Sequence, residues 1–215
     1  DRERVVMVGD NPESDILGAH QAGIPAILVA DEPPRYPTAG DFRIPDACIR
    51  TLLDLFDPGC SARRWVRPPY PWPERVAAGV AAVVLDGDGR VLLVKRADNG
   101  LWGLPMGQVK RGETVVEALA RELREEVGLE VSVRRLTGIY SEPASQVFVY
   151  PSGETVQFVT CCLLCEATGG TLRADGAEIL DAAFFPTDAL PEDLLPMHPR
   201  WLADALAGEP AALVR

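Results

Sequence analysis

Three glutamates, Glu122, Glu125 and Glu126, are spaced so that they share one face of a helix, which makes them the strongest chemical signal in the chain. Residues three and four apart on a helix are neighbours. Carboxylates this close repel one another unless a cation lies between them. Mg²⁺ combines one or two protein carboxylates with waters and substrate phosphates. The spacing therefore predicts a divalent-cation site and chemistry on phosphate groups.

The surrounding residues predict the helix that must position these glutamates. Leu119, Leu123 and Val127 recur every four positions and form an apolar stripe distinct from the acidic face. Gly112 allows the chain to turn before the helix, and Gly128 is typical of a helix C-terminus. The acidic face is thus free to line a site while the stripe packs in the core.

These positions resemble the signature of the Nudix hydrolase family, G-x5-E-x7-R-E-U-x-E-E-x-G-U, where U is a bulky aliphatic residue. Every fixed position is filled, by Gly107, Glu113, Arg121, Glu122, Leu123, Glu125, Glu126, Gly128 and Leu129. A match of this length is far more specific than a short glycine motif. The alternative, a solvated acidic helix, does not explain the glycine and arginine positions as well. One departure is Met106, where members commonly have glycine.

The resemblance covers about residues 76–205 and implies an α/β fold of the α+β type, an α/β/α sandwich with a mixed sheet. Local patterns agree with this expectation. Strands are expected at 76–84, 91–95, 131–140, 146–150, 155–165 and 182–185, and a short helix is expected at 201–206. The segment 86–89 predicts a hairpin turn, in preference to a phosphatase nucleophile or a calcium loop.

The resemblance also implies hydrolysis of a nucleoside diphosphate linked to another moiety, with Mg²⁺ as cofactor and Mn²⁺ as a substitute. The implied metal ligands are Glu122, Glu125, Glu126 and the Gly107 carbonyl. The implied catalytic residues are Glu122, Glu125, Arg121 and Glu178. Either Glu122 or Glu178 could be the general base. The alternative interpretation of Glu178 is an acidic loop residue without a catalytic role.

Candidate substrate-binding residues surround this motif, namely Trp102, Lys110, Arg111 and Tyr140. We interpret Lys95 and Arg96 as exposed surface charge, which is also the alternative for Lys110 and Arg111. Core packing is the alternative for the two aromatic residues. A nucleoside diphosphate sugar, ADP-ribose or a nucleoside triphosphate would each fit, and the loop at 140–143 favours the first two.

A second resemblance begins at Arg4, where RVVMVGDNPESD and ILGAHQAGIPAILVA are similar to the closing part of a haloacid dehalogenase superfamily phosphatase. The pattern predicts a buried strand, a helix at 14–22 capped by Gly23, and another buried strand, as in a partial Rossmann-like unit. The resemblance assigns Asp10 and Asp15 to magnesium. Its nucleophile strand is missing and the chain starts at Asp1, so we expect a fragment of a longer fold.

Proline content indicates where the two resemblances meet. We expect a haloacid dehalogenase-like segment at 1–56, a linker at 57–74 and the Nudix domain at 75–215. The linker contains five prolines, which resist helix and central strand. Its aromatic residues, Trp65, Tyr70 and Trp72, are expected to pack on a domain surface.

Charge and cysteine content restrict the partners. A net charge of −11 argues against a broad basic surface for duplex nucleic acid or an anionic membrane, but it permits a nucleotide-type small molecule as the substrate. There is no membrane-length apolar run, and an odd number of cysteines, including Cys48 and Cys60, indicates a reducing, cytoplasmic compartment. Homodimers are common in the family and are one expected assembly.

Two other functional hypotheses stay open beside the hydrolase. One is a non-catalytic, nucleotide-sensing Nudix module, against which the complete acidic motif argues. The other is a fragment of a bifunctional phosphatase and Nudix protein, which an aspartate-rich strand upstream of Asp1 in the gene would identify.

Overall fold

Two units divide the chain, residues 1–72 and residues 73–215. The computed structural model describes residues 5–36, 38–57, 65–208 and 211–215. Arg4, Cys60 and most of the first half of the expected linker lie outside the described residues. Within the described ranges, no helix is both long enough and apolar enough to cross a membrane.

The first unit contains a small parallel sheet. Its strands are β1 (Met7–Gly9), β2 (Ala26–Val29) and β3 (Ala47–Ile49), with β2 in the centre. After β1, a π-type turn at Pro12–Ile16 leads into α1 (Leu17–Gln21), and Gly23 follows with a φ of 75°. A 3-10 turn at Leu52–Phe56 follows β3. The predicted strand, helix and strand are present with parallel, Rossmann-like pairing. However, β1 is not the buried strand that was expected, since Met7 is 39% exposed, and the helical segment begins two residues early with the π-type turn.

Aromatic residues of the proline-rich segment pack on this first unit. The Trp65 ring stacks on the buried His20 ring, with centroids 4.2 Å apart. His20 is fixed by the Phe42 carbonyl at 2.8 Å and by Asp46 at 3.0 Å, and the Trp65 backbone N–H also donates to Asp46. Trp72 lies beside Phe42, with ring centroids 5.5 Å apart. These contacts order the segment from Trp65 to Trp72.

The second unit is a mixed sheet with helices on both faces. Its first elements are β4 (Arg75–Leu85), β5 (Val91–Arg96), β6 (Trp102–Gly103), β7 (Met106–Gln108), α2 (Val115–Val127) and β8 (Leu129–Tyr140). They are followed by α3 (Pro143–Gln146), β9 (Val147–Val149), β10 (Thr155–Gly170), β11 (Ile179–Phe185), α4 (Trp201–Leu206) and β12 (Leu213–Val214). The strand order is β11-β5-β4-β10-β8-β12. The pairs β4–β10 and β8–β12 are parallel, whereas β10–β8 and β11–β5 are antiparallel.

Two apolar layers enclose this sheet. On one face, Leu119 and Leu123 of α2 pack against a cluster that includes Val80 and Leu92. On the other face, Trp201 of α4 packs in a cluster with the alternate residues of the same strands, such as Val83. Successive strand residues point to opposite faces, so both faces of β4 and β5 are apolar. The expected α/β/α sandwich is confirmed.

Most differences from the expected elements concern short or long strands. The segment at 102–108, for which no strand was expected, contains β6 and β7, because its backbone pairs with β5 and β4. Strand β10 continues to Gly170, five residues beyond its expected end, since β8 pairs with it along this length. The predicted turn after β4 is present, and the Asp86 carboxylate accepts hydrogen bonds from the N–H groups of Asp88 and Arg90 at 3.0 and 2.9 Å.

Candidate active site

Helix α2 presents the acidic motif, and its two ends explain its limits. Thr114 is the N-cap, because its hydroxyl accepts a hydrogen bond from the Glu117 N–H while the Glu117 carboxylate accepts one from the Thr114 N–H at 2.8 Å. Gly128 ends the helix in the left-handed region, with a φ of 68°. The helix therefore has a fixed start and end, and its acidic face has a fixed register against the sheet.

Arg121 connects the glutamates of the motif. Its guanidinium forms a bidentate pair with Glu113, at 2.6 and 2.9 Å, and also lies 2.7 Å from Glu122 and 3.2 Å from Glu125. It donates in addition to the Gln108 carbonyl at 3.1 Å. Glu113, whose pKa Arg121 lowers to about 2, is held ionised. Arg121 thus fixes the acidic helix face to the preceding segment.

Glu126 differs from its neighbours because it is buried. Its side chain forms no close ion pair within the described residues, although the more distant charge of Arg96 acts to lower its pKa, and its Oε2 atom has no hydrogen-bond partner there. Burial, with the negative charge of Glu122 as the next cause, raises the pKa of Glu126 to about 8. A buried carboxylate oxygen without a partner is costly unless a proton or a cation satisfies it.

Gly107 lies directly against Glu122. A Cβ placed on Gly107 would be only 2.1 Å from Glu122 Cδ and Oε1, so no other residue leaves room for this carboxylate. Gly107 is in β7, which pairs with β4 through Val80. The sheet therefore positions the Gly107 main chain, and the helix positions the carboxylate beside it.

One cavity of about 670 Å³ collects most of the predicted site residues. Its lining includes Gly107, Lys110, Arg111, Glu122, Glu125, Glu126, Tyr140 and Glu178. Arg121 is not among the lining residues, since it lies among the glutamates that it holds. Glu178 enters from the loop before β11, where the Asp175 carboxylate accepts hydrogen bonds from the N–H groups of Ala177 and Glu178 at 3.0 and 3.1 Å.

The two aromatic residues predicted to bind substrate are placed differently. Trp102 does not line this cavity, because its ring is buried against Phe185 at a centroid distance of 4.9 Å. Tyr140 does line it, but its hydroxyl donates to the buried Asp204 carboxylate at 2.9 Å. Only the ring of Tyr140 is therefore available to a ligand, and Trp102 is a core residue.

Several cavity residues were not predicted from the sequence as ligand contacts. Arg96 was assigned to exposed surface charge, yet it lines the cavity, with its guanidinium held by Asp98 at 3.0 and 2.7 Å. Gln146 and His198 also line it. Their positions depend on strand pairing and on α3, so no motif or spacing marks them. The polar Thr160 within an apolar strand was the one available signal on this wall.

The carboxylate and carbonyl oxygens of this site are suitable ligands for a hard divalent cation, although the side chains do not converge on one position. In the described ranges, no three or more His, Cys, Asp or Glu side chains converge in metal-ligand geometry. Glu122 and Glu125 are instead directed to Arg121. The unpartnered buried oxygen of Glu126 and the oxygen-rich neighbours are nevertheless what Mg²⁺ or Mn²⁺ prefers.

In the first unit, Asp10 and Asp15 follow β1, as the second resemblance implies. Asp15 Oδ2 accepts a hydrogen bond from the Asn11 N–H at 3.0 Å. A Cβ on Gly9 would be 2.3 Å from the same oxygen, so the strand end is closely packed against this carboxylate. Asp15 therefore stabilises the turn after β1.

Comparison with known proteins places both units. Residues 75–205 match the NUDIX domain family model, and residues 1–55 match a HAD-hydrolase-like model. The chain is 37% identical over 133 residues to the ADP-ribose pyrophosphatase of Methanocaldococcus jannaschii. This alignment covers 56% of this chain and 74% of the relative. It is 33% identical over 126 residues to a putative 8-oxo-dGTP diphosphatase of Bacillus subtilis, across 59% of this chain and 77% of the relative.

A solved structure shows the same fold. The crystal structure of an ADP-ribose pyrophosphatase from Streptococcus suis aligns with a TM-score of 0.51 and 24% identity, over 65% of this chain and 98% of that one. The family model covers more than half of the chain, and its acidic motif is complete on α2. The chain therefore belongs to the Nudix domain family.

Proposed function

We propose that this chain is a divalent-metal-dependent hydrolase that cleaves the diphosphate of a nucleoside diphosphate linked to another moiety. The observation that carries the proposal is the unpartnered, buried carboxylate oxygen of Glu126, which lies beside Glu122 in the wall of a large cavity. A carboxyl group in a cleft whose pKa is raised by burial and by a neighbouring carboxylate, as for Glu126, is typical of functional sites. The names of the relatives, a pyrophosphatase and a putative diphosphatase, support the same reaction class.

Glu122, Glu125, Glu126 and the Gly107 carbonyl would hold the metal, for which we propose Mg²⁺, with Mn²⁺ as a substitute. When bound, such an ion polarises a diphosphate and lowers the pKa of water. Arg121 holds Glu122 and Glu125 in place, because its guanidinium contacts both carboxylates.

The remaining roles follow from what lines the cavity. Glu178 is an exposed carboxylate on an ordered loop, so we assign it the general base that accepts a proton from the attacking water. Arg96, Lys110 and Arg111 supply positive charge to the same cavity, where they would neutralise phosphate oxygens. Arg96 is the best oriented of the three, since Asp98 fixes its guanidinium.

The size of the cavity is compatible with both proposed substrate classes. About 670 Å³ lies within the usual range for pockets that enclose a small molecule, and this volume does not separate nucleotide sugars from nucleoside triphosphates. We propose nucleoside diphosphate sugars or ADP-ribose as the first group to test and triphosphates as the second. A reducing, cytoplasmic setting agrees with the free thiols of Cys48, Cys161, Cys162 and Cys165.

The experiment is phosphate release from a panel of nucleotide sugars, dinucleotides and triphosphates with Mg²⁺, with an added phosphatase to reveal monoester products. Parent protein is compared with Glu125→Gln and Glu126→Gln. Glu166→Gln is the matched control, because this exposed glutamate on β10 pairs with Arg134 and does not line the cavity.

Loss of activity in both motif variants but not in the control would support the hydrolase and name its substrate. A panel that stays silent in the parent, while a nucleotide raises the melting temperature, would refute the hydrolase and favour the nucleotide-sensing module. Equal activity of all four proteins would exclude the acidic motif from the chemistry.

A further inference from the structure

Gln146 is a buried amide in the wall of the cavity. It ends α3, is 6% exposed, and its Oε1 atom accepts a hydrogen bond from the Thr160 hydroxyl at 2.6 Å. A glutamine amide also has two N–H donors, and the described residues provide no acceptor for them. The Gln146 Nε2 atom is not among the buried side-chain atoms left without a partner, so it is open to the cavity, where a ligand could accept its hydrogen bonds.

Gly79 packs closely against Thr160, the hydrogen-bond partner of Gln146, and against Phe158. Gly79 pairs with Thr160 across β4 and β10. A Cβ on Gly79 would lie 3.0 Å from Thr160 Oγ1 and 3.2 Å from Phe158 Cδ1, so any larger residue would crowd this part of the wall. Gly79, Gln146, Phe158 and Thr160 all line the same cavity.

Aromatic rings line the same region. Phe148 and Phe158 meet edge to face, with centroids 5.7 Å apart, and both line the cavity. Such rings favour a flat aromatic ligand, and stacking on them is tolerant of which base is bound. The rings therefore account for binding of a base, but a choice between bases must come from a polar group.

We propose that the Gln146 N–H donors recognise a carbonyl oxygen on the substrate base, which makes bases such as uracil, hypoxanthine and guanine the preferred class. A base with an amino group at that position would present a donor to a donor and leave both unpaired. The inference rests on the proposed hydrolytic function, and it adds the identity of the nucleoside: within the first substrate group it favours nucleoside diphosphate sugars with a carbonyl base over ADP-ribose, whose adenine carries the amino group.

The test compares substrates that differ only in carbonyl against amino. UDP-glucose and CDP-glucose form one pair, and ITP and ATP form the other. We expect the parent kcat/KM to favour the carbonyl member of at least one pair by roughly ten-fold, the usual scale for one hydrogen bond between partly polar groups. A ratio near one for both pairs, or a preference for the amino members, would overturn the proposal.

Two variants assign the preference to Gln146. Gln146→Leu removes the donors and should bring the ratio close to one, whereas Gln146→Glu replaces them with an acceptor and should favour the amino member. The ratio within a pair does not depend on the fraction of folded protein, so partial destabilisation does not obscure the result. Gln157→Leu is the matched control and should keep the parent ratio, because Gln157 donates to the Ser141 carbonyl at 3.0 Å and does not line the cavity.

The two proposals fail in distinguishable ways. If no substrate is hydrolysed, the hydrolase proposal fails, and the shift in melting temperature with each member of a pair still measures base preference. A larger shift with UTP than CTP, or with ITP than ATP, in the parent but not in Gln146→Leu would support the subsite without hydrolysis. Equal shifts within both pairs would refute it.

Discussion

Replacing Gly107 with alanine tests whether the position of Glu122 determines activity. The added Cβ would be 2.1 Å from Glu122 Cδ and Oε1, about 1.3 Å less than an ordinary contact of 3.4 Å. The Glu122 carboxylate must therefore move by more than about 1 Å. A displacement of this size at a reacting centre costs roughly 100-fold in rate. We expect Gly107→Ala to lower kcat/KM by about this factor.

The same substitution should change stability little. The atoms that must move are the far end of a flexible side chain, and Gly107 does not have a positive φ. We expect a loss of less than about 1.5 kcal/mol in the free energy of unfolding, measured by urea titration. Gly87→Ala is the matched control, because a Cβ there meets nothing within 4 Å.

A double variant identifies the cause of the activity loss. If the displacement of Glu122 is the whole effect, Gly107→Ala combined with Glu122→Gln should be no less active than Glu122→Gln alone, since variants that act on one group are not additive. Folded Gly107→Ala protein with parent-like kcat/KM would refute the reasoning. Additive losses would show that the Gly107 main chain acts separately from Glu122.

Three further predictions concern the frame of the site. Tyr140→Phe should lower the free energy of unfolding by about 2 kcal/mol, because it removes a hydrogen bond to the buried Asp204 carboxylate. The same variant should change kcat/KM by less than about two-fold. A large change in KM alone would instead show that the Tyr140 hydroxyl contacts the ligand. Hydrogen bonds from Arg215 and Tyr140 lower the pKa of Asp204 in the folded protein. Ionised Asp204 therefore stabilises the fold at pH values above its unfolded pKa near 3.8, and this stabilisation is lost as the pH falls below that value. Between about pH 5 and about pH 3 the melting temperature of Asp204→Asn should therefore fall less steeply than that of the parent, and parallel curves would contradict this. Thr114→Ala should cost about 1 kcal/mol of unfolding free energy in urea by removing the N-cap of α2, whereas Thr114→Ser should not.

The acidic motif was predictable because its chemistry is local. Glu122, Glu125 and Glu126 share a helix face through their spacing alone, and the helix ends at Gly128 as expected. The ion pairs of Arg121 were not predictable in this way. Thr114 caps the helix, whereas the adjacent Glu113 pairs with Arg121. Spacing alone does not separate these two roles at the start of a helix.

The rest of the cavity wall could not be predicted, because it is built by long-range pairing. Gly79, Gln146 and Thr160 come from β4, α3 and β10, and their sequence gives no periodic signal that they meet. Trp102 shows the opposite failure, since an aromatic residue near a motif looks the same in sequence whether it stacks on a ligand or on Phe185. Arg96 was taken as surface charge because neither its cavity position nor its pair with Asp98 follows from hydropathy.

The parallel pairing of β4 with β10 also affects how the domain folds. Its partners, from Arg75 with Val156 to Leu85 with Glu166, are separated by about 80 residues along the chain. Closing so long a loop costs entropy before any contact forms, which slows folding and raises contact order. The backbone hydrogen bonds within α2 are local, so this helix can form much earlier. We therefore expect the acidic helix to form before the cavity wall that β4 and β10 build. During refolding, activity should return only after most of the helical circular dichroism signal has returned.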